Sequence, residues 1–140
     1  MSKTKFFYYP EDHIDPNTKK TTTIFKPLIP IRLQGSKLAK IPVDCLLDSG
    51  SDTNLFPAGW GEAAGIKINK GEPKDIFGIG GVIVPAFRHP VVLWVGTKKF
   101  TTQADFSVVH NTPILGRMDF FKFFPEVIFN EIKRYVEIEL

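Results

Sequence analysis

CLLDSGSDT (45–53) is the stretch whose reading decides the fold. Two apolar residues, Leu46 and Leu47, lead into Asp48, then a hydroxyl residue, then a glycine. An ionised carboxylate at the end of an apolar strand is costly to desolvate unless donors reach it. Gly50 permits a tight turn whose backbone N–H groups can point at Asp48, and Ser49 and Ser51 add hydroxyls. Such a turn suits an aspartate held at a controlled pKa. By itself, D-S-G reads more readily as an ordinary Asx turn at a strand end. It also begins a phosphoserine recognition motif, although the apolar run before it favours burial.

On either side of this stretch the pattern is β. In TIFKPLIPIRL (23–33) Phe25, Ile29, Ile31 and Leu33 are apolar at odd positions. Pro27 and Pro30 cannot donate to a ladder, which places this strand at an edge. QGSK (34–37) signals a turn, and KIPVDCLLD returns from it. VVLWV (91–95) is continuously apolar and suits a strand buried on both faces. FTTQADFSVV (100–109) alternates: Phe100, Thr102, Ala104, Phe106 and Val108 share one face, Thr101, Gln103, Asp105 and Ser107 the other. VGTKKF between these runs reads as a hairpin. In RYVEIEL (134–140), Val136, Ile138 and Leu140 oppose Glu137 and Glu139. Helix is scarce. AGWGEAAGI (58–66) predicts a short helix after Pro57, and MDFFKFF (118–124) about two turns before Pro125. Short strands with Gly/Pro turns and one or two short helices predict an all-β barrel or sandwich.

The bulk numbers fit one domain. With 140 residues, 43% hydrophobic and 24% charged, the chain can bury a core without disulfide or metal staples. Residues 1–22 are polar apart from Phe6, Phe7, Tyr8 and Tyr9 and read as a partly ordered N-terminal extension to a domain over 23–140. The net charge of +3 is interspersed, and its one dense group is Lys19–Lys20, which argues for a solvated face and no nucleic-acid partner. A single cysteine, Cys45, excludes an intrachain disulfide and fits a reducing compartment. The N-terminal residues hold no signal-peptide apolar core, and no run approaches the roughly 18 apolar residues of a membrane span. A cytoplasmic protein without a membrane partner is the expectation. His13, His89 and His110 are widely spaced and suggest no metal site.

Two further stretches carry weight. IFGIGGVIVP (76–85) flanks Gly78, Gly80 and Gly81 with apolar strand segments. Glycine pairs inside a β pattern mark a hairpin tip or a close approach to a ligand. A phosphate-cradling loop competes, but GIGG lacks the Lys-Ser/Thr ending and no helix follows. In TPILGRMDFF (112–121) a short apolar strand, Ile114 and Leu115, ends in Gly116, then Arg117 and a helical stretch.

In this order, D-S-G-S, a glycine-tipped hairpin and I-L-G-R resemble the retropepsin-like, single-domain aspartic peptidase family over residues 23–140. The resemblance implies a closed acid-protease barrel, one lobe per chain, with a flap hairpin. It implies that Asp48 is the catalytic aspartate on a loop completed by Ser49, Gly50 and Ser51. Ser49 would bond across a dimer axis, and the Ser51 hydroxyl would support the aspartate. Gly78, Ile79, Gly80 and Gly81 would form the flap tip over the substrate. Ile114, Leu115 and Gly116 would thread behind the catalytic loop, and Arg117 would pair with Asp52. Pro113 departs from the polar residue usual in viral members, and 54–75 is longer than in compact viral enzymes.

The chemistry needs two carboxylates, one ionised and one protonated. Only one D-S-G occurs, so a homodimer must supply the second. The implied activity is endopeptidase cleavage of a peptide or protein substrate without metal or cofactor. A non-catalytic peptide-binding or dimerisation module on the same fold is the alternative. The resemblance also implies that terminal strands interleave across the dimer axis, which would cover RYVEIEL. The competing reading folds RYVEIEL back on EVIFN within the chain and leaves the N-terminal segment to dimerise.

Overall fold

Alternation of apolar and polar residues gives twelve strands, and the structure, a computed structural model, describes residues 2–140. They are β1 (Lys3–Phe7), β2 (Tyr9–Ile14), β3 (Thr21–Lys26), β4 (Leu28–Gln34), β5 (Val43–Leu47), β6 (Leu55–Pro57), β7 (Glu72–Phe77), β8 (Ile83–Val95), β9 (Lys98–Ser107), β10 (Ile114–Leu115), β11 (Val127–Asn130) and β12 (Tyr135–Glu139). One helix, α1, spans Ala58–Ala63. The main sheet runs β4-β5-β10-β6-β9-β8-β7, and β4 also pairs with β8. That extra pairing closes six strands into a barrel and leaves β7 outside it as half of a hairpin with β8. The expected all-β closed barrel with short helices is what forms.

The barrel interior is filled from the predicted faces. Ile29, Ile31 and Leu33 on β4, Cys45 on β5, Leu93 and Val95 on β8, and Ala104 and Phe106 on β9 are all fully buried. Each large side chain among them contributes about 2 kcal/mol through burial. VVLWV is covered more thoroughly on one face. Val91, Leu93 and Val95 point inward, while Val92 and Trp94 are half-buried on the outside, where Trp94 Nε1 donates to Gln34 Oε1 at 2.8 Å.

Two expectations about strands are corrected. The stretch from Thr23 breaks at Pro27 into β3 and β4, and β4 is no edge: it pairs with β5 over Leu28–Ile31 and with β8 over Arg32–Gln34. Pro30 is tolerated by register. The Leu47 N–H donates to the Pro27 carbonyl, so Pro30 opposite Asp44 is a non-hydrogen-bonded pair and its missing donor would face away from β5. RYVEIEL is also not left for an interchain sheet. β12 pairs with β11 on one side and with β1 on the other. This is the intrachain hairpin with EVIFN, with Arg134 at φ +60° in its turn. Val136 and Ile138 are buried against the body.

Residues 3–7 and 9–14 are strand, and position 22 lies inside β3. β2 and β3 form a separate two-stranded hairpin. MDFFKFF does not make two helical turns. Phe120 sits at φ −135°, ψ −59°, and only Phe121–Phe123 form a single tight turn. Phe120, Phe123 and Phe124 all pack around Phe100, with ring centroids 5.7, 4.5 and 5.8 Å from it.

Candidate active site

β5 carries Cys45 and Leu47 into the barrel and delivers Asp48 at its end. The Asp48 N–H donates to the Leu115 carbonyl at 3.0 Å, and the Ser51 N–H donates back to the Asp48 carbonyl at 3.1 Å. The Gly50 N–H donates to Asp48 Oδ1 at 2.9 Å. Asp48 is half-buried, and a Cβ on Gly50 would approach its Oδ1 to 3.3 Å. A small residue is therefore favoured where the turn folds over the carboxylate. Ser49 is exposed at the apex. The Ser51 hydroxyl, implied to support the aspartate, donates instead to the Thr53 carbonyl at 2.8 Å. It braces the exit of the loop.

β10 lies behind this loop, parallel to β5 (Leu46 opposite Ile114, Leu47 opposite Leu115) and antiparallel to β6 (Ile114 opposite Leu55). At its end Gly116 presses on Thr53. A Cβ on Gly116 would fall 2.3 Å from the Thr53 carbonyl oxygen and 2.6 Å from its backbone N and C. Those atoms are main chain and cannot swing aside. Gly116→Ala is therefore expected to lower unfolding free energy by about 3 kcal/mol or more, the upper range for overpacking. Urea denaturation checks this, and a loss below about 0.5 kcal/mol would mean that the strand does not thread so closely.

The expected ion pair of Asp52 with Arg117 is not formed. Both side chains are exposed, and among the described residues the pairs within 4 Å do not include them. The two segments are stitched through main chain instead. The Arg117 N–H donates to the Ser51 carbonyl and the Met118 N–H to the Asp52 carbonyl, each at 2.8 Å.

The buried polar groups that do organise the site were not singled out in the sequence. Asn54, fully buried, uses every side-chain partner available to it. Its Oδ1 accepts from the Gly116 N–H at 3.1 Å, and its Nδ2 donates to the carbonyls of Gln103 and Asp119 at 3.0 and 3.2 Å. Asp119 Oδ2 accepts from the Asn54 N–H at 3.1 Å. Arg88 grips Asp119 bidentately, with Nη2 2.8 Å from Oδ1 and Nη1 3.1 Å from Oδ2, and reaches Asp105 Oδ1 at 3.0 Å. Lys74 Nζ closes the network on Asp105 Oδ2 at 3.0 Å. Burial alone would push the Arg88 guanidinium down, but the carboxylates of Asp119 and Asp105 outweigh it and hold it above its ordinary value. Asp105 was placed on the polar face of β9. That face is solvated at Thr101 and Gln103, but Asp105 is buried beneath Lys74 and Arg88, and Ser107, opposite Pro57 of β6, is buried as well. A visible signal was the isolated charge inside each apolar run, Arg88 in AFRHPVV and Asp119 in RMDFF.

The glycine stretch is a hairpin tip between β7 and β8, not a phosphate loop. The Gly78 N–H donates to the Val82 carbonyl at 2.7 Å, and Gly80 and Gly81 sit at φ +80° and +77°, which other residues rarely adopt. Ile79 is fully exposed at the tip, with Phe77, Val82 and Ile83 exposed beside it. The histidines are apart: His89 Nε2 lies 2.7 Å from the Ile68 carbonyl oxygen, and His13 Nε2 lies 3.5 Å from Glu11. Among the described residues no cluster of His, Cys, Asp or Glu could hold a metal ion.

No protein-family model and no curated protein matches the sequence. Solved structures do match. A retropepsin-like aspartic protease from Rickettsia conorii superposes with a TM-score of 0.65 over 98% of this chain and 91% of its own, at 10% identity. EIAV protease, in complex with the inhibitor HBY-793, superposes with a TM-score of 0.51 over 74% of this chain and 88% of its own, at 22% identity. The chain has the retropepsin-like fold. In this retropepsin-like barrel the strand carrying Asp48, the glycine-ended strand behind it and the glycine-tipped hairpin come from the three stretches picked out in sequence. At such identities the likeness is one of fold.

Proposed function

We propose that this chain is one half of an aspartic endopeptidase that acts as a homodimer. The observation that carries the reading is Asp48 itself. It stands half-buried at the end of a barrel strand, with a glycine N–H on its carboxylate and a hydroxyl residue exposed at the loop apex. The chain holds one such loop, so a second copy supplies the other carboxylate. Two carboxylates about 3 Å apart cannot both ionise easily and share one proton. The ionised member takes a proton from a water, which attacks the scissile carbonyl carbon. The protonated member gives its proton to the carbonyl oxygen. Collapse of the tetrahedral intermediate expels the amine, which takes the proton of the protonated carboxyl. The other carboxylate takes a hydroxyl proton from the intermediate, so that the dyad again holds one proton. No covalent bond to the protein forms.

Ser49, exposed at the loop apex, bonds across the dimer axis in this reading. The β7–β8 hairpin acts as a flap: Gly78, Ile79, Gly80 and Gly81 close over an extended peptide, and backbone groups pair with it by β-augmentation. The exposed apolar tip gains cover when substrate is present. Cys45 is the chain's single cysteine and is free and buried, so no intrachain disulfide forms, and on that ground we place the protein in the cytoplasm. Among the described residues no helix is long and apolar enough to cross a membrane.

Two tests follow from the shared proton and the shared site. Cleavage of a denatured protein substrate is expected to peak at mildly acidic pH, between about 4 and 7, because the dyad must hold one proton. A rate that keeps rising above pH 8 assigns the chemistry to another group. Specific activity is also expected to fall on dilution, since a monomer holds half the dyad. Constant specific activity down to concentrations at which sedimentation shows only monomer contradicts the dimeric site.

A further inference from the structure

At the end of β5 away from Asp48 the chain forms a groove that the proposed peptidase chemistry does not use. Its volume is about 570 Å³, within the roughly 300–1,000 Å³ usual for small-ligand sites. One wall is the connection from β4 to β5, ending in Val43. The other is α1, with Trp60 and Ala63. Val43 and Asp48 are five residues apart along an extended strand, so about 17 Å separates the groove from the carboxylate. The two walls are held together at one end. The Lys37 N–H donates to the Ala64 carbonyl at 3.1 Å, and the Ser36 hydroxyl donates to the Gly65 carbonyl at 2.9 Å. Trp60 is in turn packed on Phe56, with ring centroids 4.7 Å apart.

The chemistry of the lining says what fits. Leu38, Val43, Trp60 and Ala63 make it largely apolar, and Lys37 and Lys40 stand exposed beside them. No acidic residue lines the groove, and among the described residues neither lysine has a carboxylate within 4 Å. A second observation is independent of charge. Trp60 is 9% exposed, and its Nε1–H is buried with no acceptor among the described residues. A buried indole N–H normally finds a partner. Trp94, the other tryptophan, has one in Gln34.

Two unpaired cations and an unpaired donor on an apolar surface select a ligand with an apolar body and an anionic acceptor. A carboxylate has two oxygens and accepts at both, whereas a doubly charged phosphate is harder to desolvate against such a surface. We propose that this groove binds a small amphipathic carboxylate, an aliphatic or aromatic acid. Its apolar body lies on Leu38, Val43 and Ala63, and its carboxylate accepts from Trp60 Nε1 and from Lys37 or Lys40. The site is separate from Asp48 and does not rest on the dyad reading.

Equilibrium dialysis of radiolabelled octanoate against the full chain, below the concentration at which it forms micelles, tests this. One saturable site per chain is expected. Lys37→Glu/Lys40→Glu alters two exposed side chains, so circular dichroism stays that of the parent. The octanoate Kd of that variant weakens about tenfold, the order for a lost charge-assisted bond. Trp60→Phe keeps an aromatic ring and removes the donor, and a weakening of about threefold or more is expected. Unlabelled octanoate displaces the label, while 1-octanol and octyl phosphate displace it only at higher concentration. Absence of saturable binding, or an unchanged Kd in the lysine variant, overturns the site. An unchanged Kd in Trp60→Phe overturns the indole bond. Displacement by 1-octanol or octyl phosphate as effective as by octanoate overturns the choice of a carboxylate.

Discussion

Asp48→Asn is expected to reduce peptide cleavage by at least the 10²- to 10⁴-fold associated with loss of a general base, to background in practice. The substitution is nearly isosteric. An asparagine Oδ1 can still accept the Gly50 N–H that now lies 2.9 Å from the carboxylate, and the backbone bonds to Leu115 and from Ser51 do not involve the side chain. Fold and dimer therefore persist while the proton acceptor is gone. Because the proposed site takes one Asp48 from each of two copies, mixing variant with parent protein should also lower activity beyond simple dilution, as mixed dimers would hold one carboxylate. Sedimentation and circular dichroism on the same sample establish that structure is retained. Turnover at the parent rate would move the chemistry away from Asp48 altogether.

Arg88→Ala is expected to be the most damaging single change to stability away from Gly116. Asp105 is fully buried and Asp119 nearly so, and Arg88 makes three of the charge-assisted bonds they receive. Removing one partner of a buried ion pair leaves the other charge uncompensated and costs about 3–5 kcal/mol. Lys74 still faces Asp105 at 3.0 Å, but Asp119 keeps only the Asn54 N–H on its carboxylate. The Arg88 side chain is itself 23% exposed, so water can enter the gap and the lower end of that range applies. Arg88→Lys should recover part of the loss, since a lysine supplies the charge without the bidentate fork. Arg117→Ala, by contrast, removes no ion pair within the chain and should change monomer stability by less than about 1 kcal/mol. Urea denaturation of the variants at low protein concentration compares them. Equal losses for Arg88→Ala and Arg117→Ala would mean that the buried network carries no special weight.

The network also bears on catalysis. Lys74 and Arg88 belong to the base of the β7–β8 hairpin, while Asn54 and Asp119 border the loop that holds Asp48. One set of bonds thus ties the proposed flap's foundation to the turn that holds Asp48, so damage at Arg88 should reach the proposed activity as well as stability.

Much of the molecule was legible locally. The alternation of Ile29, Ile31 and Leu33, the aspartate at the end of an apolar strand, the glycines of a hairpin tip and the glycine-ended strand at 114–116 each have a short-range physical cause. A strand has two faces of opposite polarity, φ above zero needs glycine, and close main-chain contact excludes a Cβ. What no local pattern determined was which surfaces other elements cover. Asp105 alternates with Ala104 and Phe106 as a solvated residue would, yet Lys74 and Arg88 from other strands bury it. Asn54 gives no sign of its four bonds, because their partners come from residues about 50 to 65 positions away. Asp52 and Arg117 have complementary charges but are exposed, where pairing gains little against water. RYVEIEL presents two open edges to any reader of its sequence, and β1, near the other end of the chain, takes one of them. Periodicity encodes the faces of each strand. The neighbours that desolvate a charge or close an edge are set by the closed barrel and its return strands, since those contacts form only when distant segments meet.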